Sequence, residues 1–422
     1  MARRAAAGLA LTLVLVAGAT LTALPERSEA VPAPVLLTDA SWREALDVAP
    51  TTAQEDAAWL AAGTVPGTGG PWEAVVRQSL LDLRSLTADS GAVAAGPAPR
   101  WAYAWPRDSA FAAAALSATG HRDEALRVLG FLARVQLDDG GFEARYLLDG
   151  TGTPDGRGRQ ADGAGWALWA LGEVLADAPT RAQALRELQE LRGLLDGATG
   201  FAMEVTDGGR ELPEPSSDYW ERREAELTLG TVAPLLAGLR ASARLQPLLG
   251  EHAAGRRLAA AAGSLEELLH EEFGPTGYLR YADPDVETGG VDAAVAFLLP
   301  PFAPGVPGEP VLAAFDAYQV RALRPAGGLA PGAGWKSDGV SWTPEVALVA
   351  LAAASSGRTG QAAHWLDWLA AHPAPWGSLP EKVAADGSPA GPAPLGWTAA
   401  SVVLAVAALE ARERGDHGDH GG

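Results

Sequence analysis

The chain has 422 residues, 48% hydrophobic and 20% charged, which is ample apolar material for a large core and too much for a disordered chain. It contains no cysteine, which excludes disulfides, cysteine zinc sites and thiol nucleophiles. A formal net charge of −20 disfavours nucleic-acid phosphates and anionic membrane surfaces, so a neutral or cationic partner is expected, and 14 Trp against 6 Tyr and 8 Phe offer broad faces that suit sugar rings.

In chain order, Arg3 and Arg4, the uncharged apolar run Ala5–Leu24 and the small residues around Ser28-Glu29-Ala30 form an export-signal pattern. It predicts a mature start near Val31 or else an uncleaved anchor, with the remainder outside the cytoplasm in either case. From Val31 onward apolar residues recur at helical spacing and almost nothing alternates with period two. Helices are expected near 72–87, 108–119, 122–138, 162–177, 180–195, 222–246, 253–272, 291–299, 309–323, 343–356, 359–371 and 395–413. Twelve helices at this pace predict an all-α, six-hairpin (α/α)6 toroid filling residues 31–415 as a single domain, with a disordered Gly/His/Asp tail over 416–422. Phe111–Leu116, Trp166–Leu171, Val291–Leu299, Val346–Ala354 and Trp397–Leu409 are apolar all round and predict a buried inner ring. His121–Gln136, Arg181–Leu195 and Glu251–Glu271 keep a polar face and predict the outer one. The long segments Ala88–Arg107, Leu147–Gln160, Gly197–Glu221, Gly274–Gly290, Arg324–Trp342 and 372–394 precede inner helices, so the site is expected where these loops share a rim.

The segment Trp101-Ala-Tyr103-Ala-Trp105-Pro-Arg107-Asp108 holds three aromatic faces, a guanidinium and a carboxylate, the groups that grip a polyhydroxylated ring; Pro106 and Asp108 equally fit an ordinary helix start. Asp162 fits a helix cap or a ligand contact. Glu221, preceded by Trp220, has the partly desolvated setting that raises a carboxyl pKa and suits a general acid, although an exposed first-turn Glu is also common on dipole grounds. Glu381 is a second isolated carboxylate in an apolar setting, and paired carboxylates are the machinery of glycoside hydrolysis. The seven His residues show no metal-ligand spacing, and Asp283, Asp285 and Glu287 read as a polar loop, so neither a metal nor a cofactor is expected.

The order of these motifs resembles glycoside hydrolase family 15, the glucoamylase-like enzymes. The resemblance rests on Ser79-Leu80-Leu81-Asp82-Leu83, Ser90-Gly-Ala-Val93, Trp105-Pro106-Arg107-Asp108, Asp149-Gly150, Gln160-x-Asp162, Trp220-Glu221-x-Arg223, Leu379-Pro380-Glu381 and Pro394-Leu395-x-Trp397, and spans roughly 72–413. It implies a toroid with its pocket at the N-terminal ends of the inner helices, and an inverting, exo-acting α-glucosidase that needs no cofactor, which the N-terminal pattern would place outside the cytoplasm. It further implies Glu221 as general acid, Glu381 as general base, and Arg107 with Asp108 holding the terminal sugar. Trp105, Trp220, Trp342 and Trp397 would line the pocket, with Tyr103 and Arg223 as further substrate contacts and Asp162 in support. Two departures bear on the substrate: Trp101 stands where relatives carry Tyr, and Lys336 is the nearest basic residue to an Arg that relatives place before the Trp342 position. The substrate implied is an α-linked oligosaccharide or polysaccharide, with α-1,4, α-1,6 and α,α-1,1 bonds all open. A glycan-binding protein without turnover is the first rival, and a polysaccharide lyase, which needs basic groups around an anionic substrate, is the second.

Overall fold

The computed structural model describes residues 36–37, 51–305 and 307–419; the export-signal segment 1–30 lies outside the described residues. From Pro34 onward the chain forms one compact unit. Its α-helices are α1 (Ala53–Ala62), α2 (Glu73–Leu86), α3 (Pro106–Ala118), α4 (Arg122–Val135), α5 (Asp162–Ala176), α6 (Arg181–Glu190) and α7 (Arg192–Val205), then α8 (Leu229–Leu245), α9 (His252–Phe273), α10 (Glu309–Arg321), α11 (Thr343–Ser355), α12 (Thr359–Ala371) and α13 (Gly396–Asp419).

The inner ring closes on itself. Helix α3 packs on α5, α5 on α8, α8 on the short 3-10 helix Ala293–Leu298, that helix on α11, α11 on α13, and α13 back on α3. Around it, α4 lies against α3, α7 against α5, α9 against α8, α10 against the 3-10 helix, α12 against α11 and α2 against α13. This is the expected six-hairpin (α/α)6 toroid. Inner helices are apolar on every side because they are covered on every side, as in α3, where Phe111 through Leu116 are all buried. An outer helix such as α4 buries one stripe, Ala125, Val128, Leu129, Leu132 and Val135, at the spacing of one helix face. The ring is plugged by Phe111, Trp166, Trp169, Phe297 and Phe302, whose ring centroids stand 4.8–5.9 Å apart.

Several expectations are corrected. The helix expected at 291–299 is a six-residue 3-10 helix, capped by Asp292, which accepts from the Ala294 N–H at 2.9 Å, and followed closely by Pro300 and Pro301, which cannot continue a helical ladder. The helix expected from 222 begins at Leu229, with Thr228 as its N-cap accepting from Thr231 N at 3.1 Å, because residues 218–228 serve the site instead. The segment from Gly197, expected as loop, is helical to Val205: its glycine is a close approach, since a Cβ there would stand 2.8 Å from Gln136 Oε1. Helix α1, opened by a Thr52/Glu55 capping box, was not expected, nor was a four-stranded sheet in the order β1 (Leu36–Leu37), β4 (Pro389–Pro392), β3 (Lys382–Val383), β2 (Ser341–Trp342). Helix α13 runs to Asp419, so 416–419 of the tail expected to be disordered are helical, while 420–422 lie outside the described residues.

Helices α5 and α8 meet at Gly165 and Gly238. A Cβ at Gly165 would stand 2.2 Å from the Pro234 carbonyl oxygen, and one at Gly238 would stand 2.7 Å from the Gly165 Cα. Gly165→Ala is therefore expected to destabilise by roughly 1–3 kcal/mol or more through overpacking, whereas Gly200→Ala, on α7 with open space around it, is expected to stabilise slightly. Thermal unfolding of the two variants checks the contrast, and a neutral Gly165→Ala would contradict the packing described.

Candidate active site

A cavity of about 370 Å³ opens at the N-terminal ends of α3, α11 and α13. Its lining brings together Trp101, Trp105, Arg107, Asp108, Trp220, Glu221, Trp342, Glu381 and Trp397 from loops far apart in the chain. Arg107 and Asp108, in the first turn of α3, are buried beneath the cavity, with Arg107 Nη2 3.3 Å from Asp108 Oδ2 and its guanidinium 4.8 Å from the centroid of the Trp397 ring. Burial pushes the Asp108 carboxyl up to about 6 against the pull of Arg107.

Glu221 sits in a tight turn. Its backbone is left-handed (φ 55), its N–H donates to the Asp218 carbonyl at 2.8 Å, and Asp218 Oδ1 accepts from Trp220 N at 2.9 Å. What holds this strained turn is Arg280, which is 1% exposed. Its Nη2 lies 2.9 Å from Asp218 and 2.7 Å from Glu224, its Nη1 lies 3.2 Å from Asp292, and its guanidinium lies 3.7 Å from the Trp220 ring centroid. Asp218 Oδ2 also accepts from the Thr228 hydroxyl at 2.8 Å, and Tyr219 donates to Asp292. The loop is thus tied to the caps of two inner-ring helices. The Glu221 carboxylate projects toward Gln160 Nε2 at 2.9 Å, Arg157 Nη1 at 2.9 Å and Arg107 Nη1 at 3.5 Å.

Glu381 immediately precedes β3, its carbonyl accepting from Thr343 N at 3.1 Å. Trp101 Nε1 donates to its Oε1 at 3.1 Å and the Lys382 ammonium stands 2.9 Å from its Oε2. Gly391, with φ 72, is required behind it, because a Cβ there would stand 2.8 Å from Oε2. Register pairs Trp342 with Lys382, which places the ammonium 4.3 Å from the centroid of that indole.

Three residues expected at the site lie elsewhere. Arg223 is exposed and lines a separate groove with Glu214, Ser216 and Glu224. Its side chain leaves the cavity because the turn at Glu221 reverses the chain before it. Tyr103 lies outside the cavity lining and packs under Arg145, 4.6 Å from its guanidinium. Asp162 is buried below the cavity, accepts from Trp166 Nε1 at 3.1 Å, and is pushed up to about 7 by burial while Arg107 pulls it back. Residues absent from the sequence reading also line the cavity: Arg100, Arg145, Arg157, Trp335, Glu345 and Lys382. Glu345, in the first turn of α11, is 3% exposed with no partner for Oε2, and burial pushes it up to about 8, with Glu381 and Asp292 adding to the rise. Among the described residues no group of acidic and His side chains is arranged to hold a metal ion, and no helix is long and apolar enough to cross a membrane.

Two predictions follow from this geometry. Arg280→Met strands three buried carboxylates and is expected to cost about 3–5 kcal/mol, read in urea unfolding. Glu345, whose folded pKa is raised, favours the fold when protonated. That contribution is complete below its ordinary pKa of 4.5 and is lost as pH rises through about 8. Glu345→Gln should therefore match the wild type in Tm near pH 4 and exceed it at pH 8–9, and a constant difference across the range would overturn the assignment.

No family model matches the sequence, and no curated protein matches it. Solved structures do match by fold. A structure described as a wild-type glycosidase superimposes with a TM-score of 0.66 at 22% identity, covering 85% of this chain and 99% of that one. A bacterial glucoamylase complexed with acarbose gives a TM-score of 0.70 at 17% identity over 84% of this chain and 57% of its own. The glucoamylase from Saccharomycopsis fibuligera gives 0.63 at 14% identity, over 80% and 94% respectively. The fold is that of the glucoamylase-like (α/α)6 toroid.

Proposed function

We propose that this protein is an inverting, exo-acting glycoside hydrolase that releases glucose from α-linked oligosaccharides or glucans. The observation that carries the reading is the convergence of two carboxylates, Glu221 and Glu381, from loops 160 residues apart, on one cavity lined by a buried Arg–Asp pair and six indoles. Fold likeness to glycosidases and glucoamylases supports the class, and the export pattern at residues 1–30 supports action outside the cytoplasm.

In this reading the terminal sugar sits over Arg107 and Asp108, whose fixed donors and acceptor take its hydroxyls. Glu221 protonates the glycosidic oxygen, and Glu381 takes a proton from a water that attacks the anomeric carbon from the opposite face, inverting it. Trp101 and Lys382 orient Glu381 by engaging different oxygens. Arg107 Nε and the indole N–H groups of Trp105, Trp220, Trp342 and Trp397 are buried without a hydrogen bond, a concentration of unpaired donors that a protein selected for stability alone would not retain.

One observation favours the second reading, a glycan-binding protein without turnover: Arg157 occupies Glu221 Oε2 at 2.9 Å. In the hydrolase this guanidinium, a third exposed and shared with Asp155, must yield to the leaving group. Proton NMR of residues 31–422 with maltotriose, isomaltotriose and trehalose separates the two. Wild type should release β-glucose before mutarotation, and Glu221→Gln and Glu381→Gln should each lower kcat by at least about 100-fold, the usual contribution of a general acid or base. Binding without release from any sugar would establish the second reading instead.

A further inference from the structure

The chain carries 32 basic residues against 52 acidic ones, yet the cavity lining reverses that ratio, with six basic side chains and four carboxylates. Only two of the 32 are lysines, and both, Lys336 and Lys382, line this cavity. The cations are not spread evenly over its depth. Arg107 is buried at the floor, whereas Arg100 and Lys336 are exposed at the mouth, and neither makes an ion pair among the described residues. Trp335, which lines the same cavity beside Lys336, presents an aromatic face flanked by the Lys336 ammonium, 5.7 Å from its centroid, and by the Arg222 guanidinium, 6.0 Å from it. Trp335 in turn meets Trp220 at 4.9 Å and Trp342 at 5.3 Å, so this platform adjoins the indole that precedes Glu221. One of the four carboxylates, Glu345, is buried, its Oε2 has no hydrogen-bond partner among the described residues, and it does not offset the mouth.

Unpaired cations beside an aromatic platform recognise a ring that carries an anion. Within a Debye length of about 8 Å these local charges act on a ligand more strongly than the distant acidic surface. We propose that the leaving-group end of the substrate bears an anionic group, a carboxylate or a phosphate, held by Lys336 and Arg100 while its ring lies on Trp335. This inference rests on the hydrolase reading only for which end of the ligand leaves; the anion site itself is a matter of binding.

The test uses two pairs of sugars that differ in charge at a leaving-group unit that keeps its ring: maltose with α-glucosyl-(1→4)-glucuronate, and trehalose with trehalose 6-phosphate. Titration calorimetry of the Glu221→Gln variant measures binding, and initial rates of the wild type measure kcat/KM. The anionic member of at least one pair is expected to bind at least about tenfold more tightly, the scale of one hydrogen bond to a charged group, and the preference should shrink as NaCl is raised. Which pair responds distinguishes carboxylate from phosphate. Lys336→Gln combined with Arg100→Gln is expected to remove the preference, lowering affinity for the anionic sugar at least about tenfold more than for its neutral partner. Equal or tighter binding of the neutral member in both pairs overturns the inference, as does a preference that survives the double substitution. Anion-selective binding without turnover supports the anion site and overturns the hydrolase reading, whereas turnover without anion preference does the reverse.

Discussion

The Arg280 guanidinium is the interaction on which the rest of the site depends. One guanidinium, itself 1% exposed, meets three carboxylates, and each of the three carboxylates also has a second task. Asp218 also fixes the Trp220 amide and the Thr228 hydroxyl, Asp292 also caps the 3-10 helix, and Glu224 also accepts from Tyr281 at 2.6 Å. The network therefore binds the loop that carries Glu221 to two members of the inner ring. A left-handed glutamate costs on the order of 1 kcal/mol or more, and it persists only where the surroundings over-determine it. Here they do, and the strained turn aims the carboxylate inward while sending Arg223 out to solvent.

Acidic residues in the first turns of inner helices form a second layer of organisation. Asp108, Asp162 and Glu345 occupy the N-terminal turns of α3, α5 and α11, where the helix dipole favours a negative charge by up to about 2 kcal/mol. All three are nevertheless pushed up, to about 6, 7 and 8 respectively, with burial the leading cause in each. Burial outweighs the dipole in all three: Arg107 is the leading opposing influence at Asp108 and Asp162, whereas at Glu345 that place is taken by a hydrogen bond from its own backbone N–H, with Glu381 and Asp292 adding to the rise.

The inner ring was legible in the sequence because runs such as Phe111–Leu116 and Val346–Ala354 have no polar face to leave outside, and that property needs no partner to be read. Nine of the residues lining the cavity were legible, some because Trp, Arg, Asp and Glu cluster ahead of inner helices, and others, such as Trp342 and Trp397, only through the family resemblance. Arg280 was not: its partners lie 62, 56 and 12 residues away, and nothing local distinguishes it from any other arginine. Glu345 reads as an ordinary first-turn glutamate until its burial is known. The strands β2 and β3 are two residues long, too short for any alternation to register, yet their register is what sets Lys382 over Trp342.

Net charge was the least transferable of the sequence observables. A value of −20 argues for the surface as a whole, and it pointed to a neutral or cationic ligand, but charge acts locally and the cavity inverts the sign. The choice of lysine sharpens the point in a chain whose other basic residues are all arginine. An arginine at position 382 would present a planar fork able to clamp both oxygens of Glu381, locking the group to which the proposed reaction assigns a proton. A lysine places one compact charge at Oε2 and leaves Oε1 to the Trp101 N–H, so the carboxylate is oriented from two sides without being closed off. At Lys336 the same compact ammonium lies beside an indole with no carboxylate paired to it among the described residues, which leaves its charge available to whatever ligand rests on that ring.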